Sequence, residues 1–308
     1  MNQHIRTIAI LGAGSVGSYL VMGLYDKYKE NLWVIADGER KDRLAKNGLN
    51  INDKVYSLHI KTPAEAHGVD LLFVCTKYTQ LRDSLSDIET ITGEHTMVVS
   101  LLNGVDSEEL IGQRIGMEHM IYSLIRIASH RIGNSIHFSL PKGYNGIYIG
   151  IPNQPACQDP RLAAIAEIFA DTPVTLHLSD DILLDMWDKF GLNVSRNLPQ
   201  AILGVGIGVY DDSIYADAIM RRMRHEVVLV ANAKGIPLTD EFKAAKWLPS
   251  QRYSTLQDLD AHRHTEIDMF SGALIRMGKE VGVECPYNEM TYNLIKALEE
   301  KNDGKFDY

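Results

Sequence analysis

The side chains in this chain that could do chemistry gather in two runs. The first is WDKFGLNVSRN, residues 187–197. Lys189, Asn193 and Asn197 recur at i, i+4 and i+8, so on a regular helix they stack on one face. Ile182, Met186, Phe190 and Val194 mark the apolar face of that helix at about 100° per residue. Asn193 then projects between Ile182 and Met186, and Asn197 between Met186 and Phe190. Lys189 stands at the edge of the same face. Asp185 and Asp188 fall outside it and read as solvated. Burying amides and an ammonium is costly unless a partner satisfies them. Either another protein segment meets them, or a ligand does.

The second run is STLQDLDAHRHTEID, residues 254–268. Ser254, Gln257, Asp258, His264, Glu266 and Asp268 make a polar lead-in to a helix. Taken alone, the run also reads as an exposed, well-capped helix start, with His264 structural or solvated. Neither run has metal-ligand spacing, and no nucleophile elbow is present.

The elements that must position these groups begin at TIAILGAGSVGSY, residues 7–19. Ile8 to Leu11 reads as a buried parallel strand. Gly12-Ala13-Gly14-Ser15-Val16-Gly17 is a complete G-x-G-x-x-G. Val16, Leu20, Val21 and Leu24 continue it at helical spacing. Gly12 permits the turn, Gly14 lets a pyrophosphate approach the backbone, and Gly17 brings helix and strand together. The helix N-terminus offers N–H groups to the phosphates. These features predict a dinucleotide site.

Asn31 to Ala36 reads as the second strand, ending in Asp37-Gly38. Asp37 lies 20 residues past Gly17, where an acidic side chain accepts hydrogen bonds from the adenosine ribose. It would repel a 2′-phosphate and so favours NAD. Asp-Gly is also ordinary turn chemistry, and Arg40, Lys41 and Arg43 could still accommodate a phosphate. Val55 to Ile60 is a weaker strand. Asp70 to Thr76 is a strong one that delivers Lys77 to its carboxyl end, where open α/β sheets bind ligands. A solvated lysine opening a helix is the equal alternative. Thr96 to Leu102 delivers Asn103 in the same way, although Asn-Gly is a common turn.

Met120 to Ala128, Ser135 to Ser139, Tyr148 to Ile151 and Val174 to Leu178 read as further strands, and Asp159 to Ala170 as a helix. This alternation predicts an α/β, Rossmann-like, doubly wound parallel sheet over residues 1–178, the dinucleotide-binding domain. From Ser179 the texture changes. Helical periods run over about 180–203, 212–234, 260–282 and 287–301, with GVGIG at 204–208 breaking the first from the second. An all-α C-terminal domain over 179–308 follows, with substrate binding and dimerisation as its expected roles.

Bulk properties narrow the function classes. A chain of 308 residues accommodates two domains. Hydrophobic content of 45% with 23% charged residues is globular composition. The net charge of −9 and the lack of a basic run argue against a nucleic-acid surface. The apolar runs are too short to span a membrane. The first strand starts too early to leave room for a signal peptide. Cys75, Cys157 and Cys285 are distant and odd in number, which fits reduced thiols in a cytoplasmic protein without a metal site.

Together these stretches resemble the ketopantoate reductase (2-dehydropantoate 2-reductase) family over nearly the whole chain. The carriers are GAGSVG at 12–17, CTKYTQ at 75–80, LLNG at 101–104, and the two polar runs at 187–197 and 254–268. The two polar runs are the specific ones; the glycine run fits any Rossmann enzyme. The resemblance implies NAD(P)H-dependent reduction of a small-molecule 2-keto acid, with ketopantoate giving pantoate in pantothenate biosynthesis. It implies Lys189 as the general acid and Glu266 as its neighbour binding the substrate hydroxyl. Asn193 and Asn197 would hold substrate, Ser254 would meet its carboxylate, and Asn103 would lie by the nicotinamide and the lysine. The chain departs from the family where Asp37 replaces the usual arginine for the 2′-phosphate. That leans towards NADH. It also admits a D-2-hydroxyacid dehydrogenase acting on another branched or aromatic 2-keto acid. A non-catalytic dinucleotide sensor is the reading from a different class. The helical domain is the expected homodimer surface.

Overall fold

The computed structural model describes residues 4–138, 145–242, 248–306 and 308. The chain separates into two compact units, Met1–Leu183 and Leu184–Tyr308. Twelve strands are found among the described residues of the first unit. They are β1 (Ile8–Leu11), β2 (Leu32–Ile35), β3 (Leu49–Ile51), β4 (Lys54–Tyr56), β5 (His59–Lys61), β6 (Leu71–Val74), β7 (Met97–Ser100), β8 (Met120–Arg126), β9 (Ser129–Ile132), β10 (Ser135–Phe138), β11 (Gly146–Gly150) and β12 (Leu176–Leu178). Between them run α1 (Ser15–Tyr28), α2 (Gly38–Asn47), α3 (Tyr78–Ile91), α4 (Ser107–Ile115) and α5 (Pro160–Phe169).

Eight strands form one sheet in the order β12-β11-β8-β7-β6-β1-β2-β5. The runs IAIL, LLFV and MVVS are buried along their whole length. Unbroken apolar runs are what a parallel strand covered on both faces requires. From β8 through β5 all pairings are parallel; β11 turns antiparallel to β8, and β12 follows β11. Chain order reverses between β1 and β6, so the topological switch point lies there.

Two strand expectations change, and two short strands were not expected. The predicted 55–60 strand is two strands: β4 joins a separate four-stranded sheet, β4-β3-β10-β9, while β5 edges the large one. The predicted 135–139 strand, β10, also belongs to that small sheet, paired antiparallel with β9 and through Ile136 with Ile51; Ser139 lies outside the described residues. β3 and β9 were not legible because they are three and four residues long and only partly apolar.

The second unit is helical. It opens within α6 (Ile182–Leu192), whose first two residues end the first unit, and continues with a π-helical turn (Asn193–Asn197), α7 (Leu198–Leu203), α8 (Val209–Asp212), α9 (Ile214–Ala233), α10 (Ser254–Asp260), α11 (Ser271–Val281) and α12 (Pro286–Asn302). Gly204, at φ 68°, caps α7 in the left-handed conformation that glycine adopts without strain. The predicted 260–282 helix is not continuous. α10 ends at Asp260 and α11 begins at Ser271. The Thr265 N–H, which a continuous helix would give to residue 261, instead donates to Glu299 Oε1 at 2.7 Å. Glu266 therefore sits in an irregular segment.

Candidate active site

The glycine turn has the geometry of a dinucleotide cradle. Gly12 has φ 108°, and a Cβ there would lie 2.6 Å from the Cys75 carbonyl carbon, so the turn presses on the backbone leaving β6. A Cβ on Gly17 would collide with the Gly12 carbonyl oxygen, so only glycine lets α1 start this close to β1. A Cβ on Gly14 would meet nothing within 4 Å. Space is kept open where a pyrophosphate approaches. No acidic residue stands in the first turn of α1, which leaves its N–H groups and partial positive charge available to an anion. Beside the turn, the Thr76 hydroxyl is buried without a partner among the described residues. The residues present fit a dinucleotide.

Parallel pairing aligns the neighbouring strand ends. Leu11 pairs with Val74 and Ile35, and Val74 with Ser100. The carboxyl edge therefore carries, side by side, Asn103 beyond β7, Thr76 and Lys77 beyond β6, Gly12 to Gly17 beyond β1, and Asp37 beyond β2. Lys77 is exposed at the N-cap of α3 and Asn103 is half-buried. Asp37 is exposed at the N-cap of α2 and its side chain makes no cap hydrogen bond. The turn-chemistry alternative thus does not use the carboxylate. Asp87 on α3 has its carboxyl pushed up, first by burial and then by the negative charge of Asp37. Of the nearby cations, Lys41 is paired with Glu65 at 3.0 Å.

Behind Asn103 lies a group that inspection of the sequence missed. Glu108, 1% exposed in the first turn of α4, accepts from Ser107 Oγ at 2.8 Å and from the Ser123 N–H at 3.4 Å. Ser107 Oγ also bonds Ser100 Oγ at 2.8 Å, and Ser123 Oγ donates to the Ser100 carbonyl. The network ties the two ends of the Asn103 loop to β8. Burial pushes the Glu108 carboxyl up to about 7, against the lowering effect of these bonds. A glutamate one residue past Asn-Gly-Val-Asp-Ser carries no periodic signal that would mark it as buried.

In the helical unit, the side chains of the 187–197 run are not set out as a regular helix would set them. A π turn holds one more residue per turn than an α turn. Asn193 to Asn197 form such a turn, so the i, i+4, i+8 stacking of Lys189, Asn193 and Asn197 does not persist through it. Lys189 and Asn193 are half-buried. Asn197 is 2% exposed and meets a protein segment: its Nδ2 donates to Ser254 Oγ at 3.3 Å, and its Oδ1 accepts from the Thr255 N–H at 3.2 Å. The structure therefore brings Asn197 and Ser254 together at the start of α10. Ser195 Oγ donates back to the Gly191 carbonyl at 2.7 Å.

Asp188 is a correction. It is 9% exposed rather than solvated, and pairs at 3.2 Å with Arg224, which is 1% exposed. The cause is long-range: α9 supplies a cation that α6 has no local means of announcing. Glu266 is half-buried, and the residue before it is anchored, since Glu299 accepts from both the N–H and the hydroxyl of Thr265. His264 is exposed and bonds Asp303 at 3.0 Å. Among the described residues no group of three or more His, Cys, Asp or Glu side chains could hold a metal ion, and no helix is long and apolar enough to cross a membrane.

Two family descriptions match. "Ketopantoate reductase PanE/ApbA" matches residues 8–154, and "Ketopantoate reductase PanE/ApbA C terminal" matches 181–299. A 2-dehydropantoate 2-reductase of Streptococcus pyogenes is 28% identical, covering 95% of this chain and 97% of that one. Among solved structures, D-mandelate dehydrogenase in a ternary structure with NADH and anilino(oxo)acetate is 25% identical, with a TM-score of 0.82, covering 96% of this chain and 99% of that one. A PanE/ApbA family ketopantoate reductase from Ralstonia eutropha shares the fold at 24% identity, with a TM-score of 0.78 and coverage of 96% and 99%.

Proposed function

Because this chain belongs to the ketopantoate reductase family, we propose that it reduces a 2-keto acid to the 2-hydroxy acid, with NADH as the preferred reductant. The observation that carries this reading is the row of strand ends. A glycine cradle open at Gly14, the orphaned Thr76 hydroxyl, Lys77, Asn103 and Asp37 share one carboxyl edge at the switch point. A dinucleotide held by Gly12 to Gly17 would supply hydride for C2. Lys189 donates a proton from Nζ to the ketone oxygen, and its charge stabilises the oxyanion that develops there. Glu266 binds the substrate hydroxyl and Asn193 orients the substrate. Asn197 seats Ser254, whose hydroxyl meets the substrate carboxylate. Asn103 and Lys77 serve the nicotinamide side.

Asp37 supports NADH. Its exposed carboxylate is not used as a helix cap, and Asp87 adds a second acidic group beside it. Ketopantoate is the substrate we propose first, from the names of the relatives. A bulkier, aromatic 2-keto acid is the second, favoured by the likeness to D-mandelate dehydrogenase together with Asp37. Initial rates with ketopantoate and phenylglyoxylate, each with NADH and NADPH, decide between them by kcat/KM. Lys189→Ala should lower kcat on the better substrate about 10²–10⁴-fold while the Kd for NADH stays within a factor of two. Undiminished turnover in that variant removes the lysine from the mechanism. Cofactor binding without oxidation by any 2-keto acid leaves a dinucleotide sensor. The same reading includes a homodimer through the helical unit. Light scattering should give twice 34.5 kDa, and a monomer mass discards that part.

A further inference from the structure

The largest fully buried side chain among the described residues is a charged one, Arg224 of α9. Its guanidinium lies against the turn of α6 that carries Lys189. Nη1 donates to the Asp188 backbone carbonyl at 3.3 Å, and Nη2 to Asp188 Oδ1 at 3.2 Å. Nη2 also donates to the carbonyls of Thr239 at 2.9 Å and Glu241 at 3.4 Å. Its Cζ lies over the Phe242 ring, 5.2 Å from the centroid. Gly191, one turn away on α6, is where a Cβ would collide with Nη1. The guanidinium thus occupies the volume that any other residue at 191 would fill.

Two unfavourable choices coincide here. A glycine inside a helix costs about 1 kcal/mol relative to alanine. A buried ion pair is often no more stable than apolar residues of the same shape. Burial also lowers the Arg224 pKa, against the raising influence of Asp188. Stability alone does not explain the pairing of Gly191 with Arg224. What the pairing does achieve is geometric: it grips the backbone and side chain of the residue immediately before Lys189, on the N-terminal side of the π turn. It also links that turn to residues 239–242. Planar donors reaching four acceptors on two segments hold a position more rigidly than apolar packing does.

We propose that Arg224 is a positioning residue for the reduction, acting through Asp188 to fix the turn that presents Lys189. The inference rests on the proposed role of Lys189 as general acid. Displacing a catalytic group by about 1 Å costs on the order of 10²-fold in rate, so a side chain that sets this turn controls kcat.

The test is a double-mutant cycle. Lys189→Ala, Arg224→Met, Arg224→Lys and the Lys189→Ala/Arg224→Met pair are assayed with the better 2-keto acid and NADH, alongside NADH affinity and thermal unfolding. Arg224→Met should unfold cooperatively, bind NADH with unchanged Kd, and lose about 10²-fold in kcat. Arg224→Lys should recover part of that loss. In the Lys189→Ala background, Arg224→Met should have almost no further effect on kcat, since a residue acting through the lysine has nothing left to position. A folded Arg224→Met enzyme with wild-type kcat overturns the proposal, as does a full additional loss in the Lys189→Ala background. If Arg224→Met does not fold, Arg224→Lys decides: a selective kcat loss with unchanged NADH affinity supports positioning, and wild-type kcat overturns it. If Lys189→Ala itself keeps full turnover, the reading of the lysine fails and the positioning role built on it is overturned with it, whereas wild-type kcat in Arg224→Met beside a disabled Lys189→Ala overturns the arginine inference alone.

Discussion

In the proposed reading, a single carboxylate at position 37 selects between the two dinucleotides. Asp37 is exposed, extended in backbone and uncommitted to capping α2, so its negative charge faces whatever binds beyond β2. A 2′-phosphate brought there meets like charge from Asp37, with Asp87 close enough to feel it. Asp37→Arg should therefore raise kcat/KM with NADPH and lower it with NADH, reversing the preference. Steady-state kinetics with both cofactors measure this, and an unmoved ratio denies Asp37 the discriminating role. Lys41 is held by Glu65, which leaves Arg40 and Arg43 as the nearby cations for any residual NADPH use.

At the scale of elements, the glycine turn separates binding from folding. Gly14 faces open space and Gly17 faces the Gly12 carbonyl. Gly14→Ala should leave the melting temperature unchanged and weaken NADH binding, because the added methyl stands where the pyrophosphate approaches. Gly17→Ala should cost about 1–3 kcal/mol of stability, as overpacking does, since the collision is with backbone that cannot rotate away. Titration calorimetry and thermal melts on the pair distinguish the two effects. Equal stability losses in both would contradict the open cradle. The π turn teaches a related lesson. An α-helical wheel for residues 180–203 is correct up to Leu192 and loses register afterwards. Periodicity measures the average repeat of a segment, and one inserted residue is invisible to it. Gly191, the Ser195 bond to its carbonyl and Arg224 come together at that irregularity.

Across the molecule, the buried acid Glu108 predicts a pH dependence. The unfolded chain releases that proton near the ordinary value of 4.5, whereas the folded chain holds it up to about 7. Between those values the folded state carries the extra proton, so stability falls as pH rises. The melting temperature of the wild type should decline from pH 5 to pH 7.5 relative to Glu108→Gln, which removes this titration. Parallel curves would show that Glu108 ionises freely in the fold. Because the same network holds both ends of the Asn103 loop, the variant is expected to raise the KM for NADH as well.

What could be read from the residue order alone was local: buried strands from unbroken apolar runs, the fingerprint from glycine spacing, the change to helices after the last strand, and the residue types at 189, 193, 197, 254 and 266. Each depends on neighbours within a few positions, and residue types state them directly. The packing decided the rest. Asp188 becomes buried because Arg224 arrives from 36 residues away. The 260–282 period breaks because Glu299 captures the Thr265 N–H from 34 residues away. The predicted 55–60 strand is divided between two sheets by pairings with β2 and β3. Desolvation and hydrogen-bond competition act through space, and a one-dimensional pattern does not record which distant group wins them.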